Sequence, residues 1–336
     1  MLVIDTPNST TVSATDLLHL DAAAESDRIA RTIREQTTRT LRRKGVVLGL
    51  SGGIDSSVCA ALCVEALGPK RVFGIMMPEN DSDPESERLG RLIAETYGIE
   101  AITEDVGPTL AAAGCYTRRE AAVRSVVPEF QPGDKFKLVL SELDADSPYR
   151  FFFVVVELAD GRRVKARLPL DAYQTIVAAT NFKQRVRKMI EYYHADRLRY
   201  AVIGTPNRLE YDQGFFVKNG DGAADLKPIA HLYKTQVYQL AEALGVPEEI
   251  RERPPTTDTY SLAQSQEEFF FSLPYQQLDV CLCAKDRGLP AEAIAETLGL
   301  AVEQIERVYE DIDAKRAMAT YLHAGPLLIE PGGGDG

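Results

Sequence analysis

Short unbroken apolar runs alternate along the first third of the chain with longer stretches whose apolar residues recur every three or four positions. Residues 46–50 (VVLGL) are the first such run, partly β-branched, and predict a buried strand. Gly52-Gly53 breaks it, and SSVCAALCVEAL then keeps helical spacing up to Gly68. Residues 71–77 (RVFGIMM) predict a second strand. Asp83 before Pro84 is a helix start with proline in the first turn, and that helix should run to about Tyr97. Residues 100–105 predict a third strand. The order β-α-β-α-β implies an α/β fold, a doubly wound parallel sheet with right-handed crossovers. Ligands of such sheets sit beyond the carboxyl ends of the strands.

The pattern changes further on. Residues 107–127 read as helix. Residues 128–170 then carry turn signals between β-rich runs at 136–140, 150–158 and 163–168, with Asp160-Gly161 as a hairpin turn. These predict a small antiparallel sheet inserted into the α/β domain. Residues 151–156 are apolar at every position, which predicts a strand buried on both faces. Helix resumes over 173–196, and residues 200–204 (YAVIG) predict a fourth core strand. A long loop, 205–228, holds Gly214, Gly220 and Gly222; structureless loops of this length are usually functional. Residues 233–244 predict a helix ended by Gly245, and 264–322 mainly short helices. Upstream, 16–44 reads as one helix with a basic last turn, Arg42-Arg43-Lys44. The expected organisation is a disordered segment and helix over 1–44, one domain over 45–327 with its insertion at 128–170, and a disordered tail at 328–336.

Composition narrows the function classes. The chain has 336 residues and a formal net charge of −12, which argues against non-specific nucleic-acid or anionic-membrane binding. No apolar run approaches the roughly 20 residues of a membrane span. The N-terminus lacks the basic region and apolar core of a secretory signal. Cys59, Cys63, Cys115, Cys281 and Cys283 include no CxxC pair, and Cys59 and Cys63 lie in an apolar helix as core residues. A reduced, cytoplasmic protein is expected. His19, His194, His231 and His323 are scattered without metal-ligand spacing, which argues against zinc.

The candidate chemistry sits at the first strand's carboxyl end. SGGIDS, Ser51 to Ser56, puts a glycine turn and a helix N-terminus there, where free backbone N–H groups and the positive dipole end favour an anion. Ser51, Ser56 and Ser57 add hydroxyl donors. The motif is not a Walker A loop, since no lysine follows the glycines. On Ser-Gly-Gly alone, a plain turn with Asp55 capping the helix fits as well. Asp55 would repel phosphate unless Mg²⁺ lies between them. Thr205 and Glu210 follow the fourth strand on the same rim, so Asp55 and Glu210 form a candidate two-carboxylate Mg²⁺ site. Arg185 lies in a basic helical run with Lys183, Arg187 and Lys188; such runs are ordinarily solvated faces, but Arg185 and Arg187 are read here as phosphate-facing.

The full SGGIDS after an apolar strand resembles the pyrophosphate loop of the N-type ATP pyrophosphatases, whose sheet is of the adenine nucleotide alpha-hydrolase type. NFKQRVR, GTPNRLEYDQGFFVKNGDGAADLKPIAHLYKTQVYQLA and PPTTD resemble successive blocks of the ammonia-using NAD synthetases. The blocks cover about residues 45–125 and 173–260 in the right order. The resemblance implies that ATP is held by Gly49, Ser51, Gly52, Gly53, Asp55, Ser56, Met77, Thr205, Lys234 and Thr256. Met76 or Met77 would lie near the adenine. Asp55 and Glu210 would hold magnesium, and Asp55 and Lys234 would carry catalysis. Arg185, Lys218, Asp225 and Lys315 would contact deamido-NAD. The implied reaction joins deamido-NAD and ammonia into NAD, with ATP as co-substrate yielding AMP and pyrophosphate through an acyl-adenylate. No protein nucleophile is needed. A homodimer is expected, with free ammonia or a separate glutaminase as nitrogen source.

Two features depart from the family pattern. The β-rich segment 128–170 is additional. Near the C-terminus the family carries His-Lys-Arg, where this chain has Ala314-Lys315-Arg316. The loop after PPTTD is also rich in aromatics. Both departures leave ATP handling intact and bear on the acyl substrate, so amidation of a different carboxylic acid by the same chemistry is the second reading. A nucleotide sensor without catalysis is the third, against which Asp55, Glu210 and Lys234 all argue.

Overall fold

The computed structural model describes residues 13–140, 151–254, 259–262, 270–271 and 273–329. Its strands, in chain order, are β1 (Val46–Gly49), β2 (Val72–Met76), β3 (Glu100–Thr103), β4 (Lys135–Leu140), β5 (Phe152–Glu157), β6 (Arg163–Arg167) and β7 (Ala201–Val202). The helices are α1 (Ala14–Leu18), α2 (Ala22–Glu35), α3 (Ile54–Leu67), α4 (Pro84–Tyr97), α5 (Gly107–Ala112), α6 (Cys115–Arg124), α7 (Leu170–Thr180), α8 (Phe182–Leu198), α9 (Arg208–Gln213), α10 (Lys234–Ala243), α11 (Glu248–Arg251), α12 (Tyr275–Asp286), α13 (Glu292–Leu298) and α14 (Val302–His323).

The central sheet has the order β3-β2-β1-β7, all parallel. Side chains alternate across it. Val46, Leu48, Val72 and Met76 face the core made with α2, α3, α4 and α10, whereas Val47, Phe73, Ile75 and Val202 face Ala195 of α8. Both faces are covered, which is why these strands read as continuous apolar runs rather than alternating ones. The chain winds outward from β1 through β2 to β3 and later returns to β7 on the other side of β1. The order therefore reverses between β1 and β7, the place where such sheets bind ligands.

The inserted sheet, β4-β5-β6, is antiparallel and packs through Phe136, Leu138, Val154 and Val156 against α6 and α7. Asp160-Gly161 makes the β5–β6 turn as expected, with Gly161 at φ 82°. Residues 141–150, between β4 and β5, lie outside the described residues.

Several expectations need correcting. Residues 151–156 are not buried on both faces: Val154 and Val156 are fully buried, but the ring of Phe153 lies under Lys165 and that of Phe151 under Arg167. Cationic side chains from β6 cover what looked like an interior face. The helix expected over 16–44 is split, because the Asp21 carboxylate accepts from the Ala24 amide at 3.0 Å and starts α2 afresh. That helix passes into one π-helical turn, Gln36–Thr40, and ends before Arg42, which has φ 52°. Asn181 separates α7 from α8, and the 107–127 helix is likewise two. The C-terminal region includes a long helix, α14, of 22 residues. The loop 205–228 contains α9, and residues 1–12 and 330–336 lie outside the described residues.

Candidate active site

The chain leaves β1 through Leu50, turns at Ser51-Gly52-Gly53 and enters α3 at Ile54. Gly52 has φ 71°, a left-handed conformation, and a Cβ there would stand 2.6 Å from the Ser86 carbonyl oxygen. Glycine is thus required both by conformation and by the approach of α4. The Ser56 and Ser57 hydroxyls donate to the Gly53 carbonyl at 3.0 and 2.8 Å, and the Ser51 and Ser56 hydroxyls lie 3.0 Å apart. The turn is thereby held rigid in front of the α3 N-terminus, an arrangement suited to phosphate.

One local capping box and several contacts between distant segments bring Asp55, Glu210 and Lys234 together. Asp55 lies in the first turn of α3. Glu210 lies in the first turn of α9, fixed by a capping box: the Glu210 amide donates to Asn207 Oδ1 at 3.2 Å, and the Asn207 amide donates to Glu210 Oε2 at 3.1 Å. Asn207 Nδ2 also donates to Asp55 Oδ1 at 3.2 Å, tying α9 to α3. Lys234 opens α10, and its Nζ is ion-paired with Asp55 Oδ2. The amides of Lys234 and Thr235 donate to the Asp279 carboxylate of α12 at 3.3 and 2.6 Å, so a buried acid fixes the start of the helix that carries the lysine.

Charge in this group is held at a cost. Lys234 is 2 % exposed. Burial pushes the Glu210 carboxyl up to about 8, the Asp55 charge adds to the rise, and Lys234 partly offsets it. For Lys234, burial disfavours the ammonium, but Asp55 and Glu210 outweigh it and raise its pKa. Charge on both carboxylates at once is therefore unfavourable beside a single lysine, and a divalent cation between them would relieve this by displacing the Glu210 proton. Among the described residues no cluster of three or more His, Cys, Asp or Glu side chains has metal-binding spacing. A cation here would therefore complete its shell with phosphate oxygens and water.

A cleft of about 770 Å³ opens from this point along the β1/β7 switch. Ser51, Gly53, Asp55 and Ser56 line one end, with Glu210 and Lys234 beside them. Its volume fits a nucleotide-sized ligand.

The family model described as NAD synthase matches residues 26–128 and 155–319. The chain belongs to the NAD synthase family. The NH(3)-dependent NAD(+) synthetase of Rhizobium meliloti (strain 1021) is 60 % identical over 320 residues, covering 95 % of this chain and 96 % of that protein. The enzyme of the same name from Thermotoga neapolitana is 34 % identical over 288 residues, covering 83 % and 92 %. In fold the chain is similar to the NH3-dependent NAD synthetase of Campylobacter jejuni, with a TM-score of 0.61 at 21 % identity over 93 % of this chain and 100 % of that one. It is also similar to the NMN synthetase of Francisella tularensis, with a TM-score of 0.63 at 22 % identity over 93 % and 99 %. The α/β fold with its helical C-terminal part is that of NAD synthetases.

The positions inferred from the NAD synthetase resemblance divide into two groups. Gly49, Ser51, Gly53, Asp55, Ser56, Met77, Thr205, Glu210, Lys234, Arg185 and Lys218 all line the cleft. Gly52 lies behind it, against α4. Gly49 leaves space occupied by its neighbours: a Cβ there would be 3.1 Å from Glu191 Oε1 and 3.4 Å from Met77 Cε. Arg185 Nε donates to the Lys218 carbonyl at 3.3 Å, and Lys218 Nζ donates to the Tyr321 and Ala324 carbonyls at 2.7 and 2.9 Å, which ties the 205–228 segment to the end of α14. Arg187 lines the cleft as well, with Nε donating to the Met77 carbonyl at 3.1 Å.

Asp225 and Lys315 are placed elsewhere. Asp225 is exposed, accepting from the Val202 amide at 2.8 Å and from the Tyr192 hydroxyl at 3.4 Å. Lys315 is buried beneath Phe270, donating to its carbonyl at 2.9 Å and pairing with Asp311. Thr256 lies outside the described residues.

Sequence reasoning missed Asn207, Asp279, Lys188 and Glu191. Asn207 had a readable signal, since Asn followed three residues later by Glu is a helix start. Asp279 had none, because its partners are more than forty positions away. The basic run of α8 is only partly a solvated face: Arg185 is exposed, but Lys183 and Lys188 are 2 % and 6 % exposed, and Lys188 Nζ donates to Glu191 at 2.5 Å. His231 pairs with Glu25 on the surface, in keeping with a structural role. All five cysteines are buried free thiols.

Proposed function

We propose that this NAD synthase amidates deamido-NAD to NAD with free ammonia, consuming ATP and releasing AMP and pyrophosphate. The observation that carries the reading is the convergence of Asp55, Glu210 and Lys234 beside a glycine turn built for phosphate, at one end of a nucleotide-sized cleft. The relatives named above support deamido-NAD rather than a different carboxylic acid as the acyl substrate.

The chemistry follows from positioning and charge. ATP lies with its phosphates against the amides after β1 and the Ser51 and Ser56 hydroxyls, its adenine toward Met77. A carboxylate oxygen of deamido-NAD attacks the α-phosphorus, the bond to the bridging oxygen breaks and pyrophosphate leaves. Lys234 stabilises the charge that develops on the phosphates. Ammonia then attacks the acyl carbon, loses a proton, and AMP departs with the carboxylate-derived oxygen. Asp55 and Glu210 would hold Mg²⁺, which would displace the proton that burial and the Asp55 charge favour on Glu210. When bound it supplies charge neutralisation of the polyphosphate. Thr205 and Thr256 belong to the ATP site in this reading, and Arg185, Lys218, Asp225 and Lys315 to deamido-NAD.

Residues 45–327 form one domain in this reading, with 128–170 as a β-rich insertion. The enzyme works as a homodimer in the cytoplasm. Met189 and Tyr193, 54 % and 60 % exposed on α8 on either side of Asp225's partner Tyr192, support a second copy on that face. The test is incubation with Mg-ATP, ammonium and deamido-NAD while NAD and AMP are followed together. Equal yields of both support the proposal. ATP consumption that is indifferent to deamido-NAD overturns it.

A further inference from the structure

Along the cleft wall formed by the segment between β2 and α4 lies a buried charge cluster, centred on Lys183, that this reaction scheme does not use. Lys183 Nζ pairs with Glu79 at 2.8 Å and Asp81 at 2.6 Å, and donates to the Thr259 carbonyl at 2.7 Å. Arg119 of α6 forks onto the same Asp81 carboxylate, and the Tyr116 hydroxyl donates to Glu79 at 2.8 Å. Arg119 is 4 % exposed, stacked over the rings of Tyr116 and Phe136. Such a cluster is costly to desolvate and gives little net stability compared with apolar packing, so its geometric precision is its evident product.

The cluster meets two further elements. Phe136, on β4 of the inserted sheet, donates its amide to Ser261 Oγ at 2.9 Å, and its carbonyl accepts from the Leu262 amide at 3.1 Å. The inserted sheet is thus hydrogen-bonded to segment 259–262, whose Thr259 and Tyr260 line the cleft although no residue of β4, β5 or β6 does. Further along the same wall, Arg253 donates to Asp83 and Ser86, each at 3.1 Å, and the Ser86 carbonyl is the atom that closes on Gly52.

We propose that Arg119 and Ser261 are positioning residues through which the inserted sheet fixes the ATP-side wall of the cleft. The insertion then contributes to nucleotide affinity without touching the nucleotide. The proposal rests on the ATP site assigned above.

The experiment compares Arg119→Met, Arg119→Lys and Ser261→Ala with the parent full-length protein. Steady-state kinetics are measured with each substrate varied, Mg-ATP affinity by calorimetric titration without deamido-NAD, and Tm alongside. Loss of the two bonds between the Ser261 hydroxyl and the Phe136 backbone in Ser261→Ala raises KM for ATP by about threefold, and loss of the charged fork in Arg119→Met by about tenfold. In both, kcat and KM for deamido-NAD stay within about twofold of the parent, and Arg119→Lys recovers most of the loss. A fall in Tm with Mg-ATP affinity unchanged makes the cluster merely structural and overturns the proposal, as does a loss confined to kcat. Should Arg119→Met fail to fold, Ser261→Ala decides alone. A parent protein that binds Mg-ATP but forms no NAD overturns the amidation reading, while the affinity comparison still decides the positioning proposal.

Discussion

Replacing Glu210 by glutamine tests the electrostatic reasoning about this site. Glutamine keeps the capping box, because its side-chain oxygen accepts from the Asn207 amide as the carboxylate does at 3.1 Å. What it removes is a carboxyl that burial and Asp55 push from 4.5 up to about 8. Between those two values the unfolded chain has released the proton and the folded protein retains it. Parent stability therefore falls as pH rises from about 4.5 to 8, and levels off above that. Each pH unit is worth at most about 1.4 kcal/mol, so the ceiling is about 4–5 kcal/mol, and partial exposure of the side chain on the cleft wall brings the expectation to about 1–3 kcal/mol. Urea unfolding of parent and variant from pH 5 to 8.5 reads this group together with its effect on Asp55 and Lys234, while more distant titrating groups are common to both. The variant should match the parent near pH 5 and exceed it by about 1–3 kcal/mol at pH 8. Added Mg²⁺ should stabilise the parent and narrow the gap, since a cation that binds the folded state alone shifts the equilibrium towards it. Turnover in the variant should fall by at least about a hundredfold. A variant less stable than the parent at pH 8, or one that retains turnover, would refute the reasoning.

Other substitutions have separable outcomes. Lys234→Met removes the cation paired with Asp55 and should lower kcat by about 10²–10³-fold, read in single-turnover AMP release. Gly52→Ala forces a Cβ to within 2.6 Å of the Ser86 carbonyl at φ 71°, and should weaken Mg-ATP binding and cost at least about 1–3 kcal/mol in a denaturant melt. Lys315→Met removes the donor to the Phe270 carbonyl and the partner of Asp311; it should lower Tm by several degrees and raise KM for deamido-NAD, and an unchanged KM would remove this lysine from the substrate site.

The parts of this molecule that were legible in the sequence are those specified over a few adjacent residues. Val46 to Leu67 reads correctly as strand, turn and helix because each signal is local: a β-branched run, two glycines and helical apolar spacing. Asp83-Pro84 and Asp160-Gly161 are legible for the same reason. Placement of Asp55 and Glu210 on one rim followed from the parallel topology, which sends every strand's carboxyl end to the same side.

What was not legible depends on distant partners. Lys183 belongs to a run that resembles a solvated face, and only Glu79, Asp81 and the Thr259 carbonyl, brought in from two other segments, turn it inward. Residues 151–156 have the composition of a doubly buried strand, but Lys165 and Arg167 on the neighbouring strand shield their outer face with aliphatic stems and cation–π contacts. Lys315, which the resemblance placed at the substrate, sits in α14 beneath Phe270, a contact that no local signal announces. Periodicity locates a side chain on an element but does not say which element will face it.

In the proposed reaction the site joins a substrate carboxylate to the α-phosphorus of ATP. The most direct measurement uses deamido-NAD labelled with ¹⁸O in the nicotinate carboxylate, turned over with Mg-ATP and ammonium, with AMP and pyrophosphate analysed by mass spectrometry. Attack by the carboxylate followed by displacement by ammonia leaves one labelled oxygen in each AMP and none in pyrophosphate. Unlabelled AMP, or label in pyrophosphate, would contradict the account.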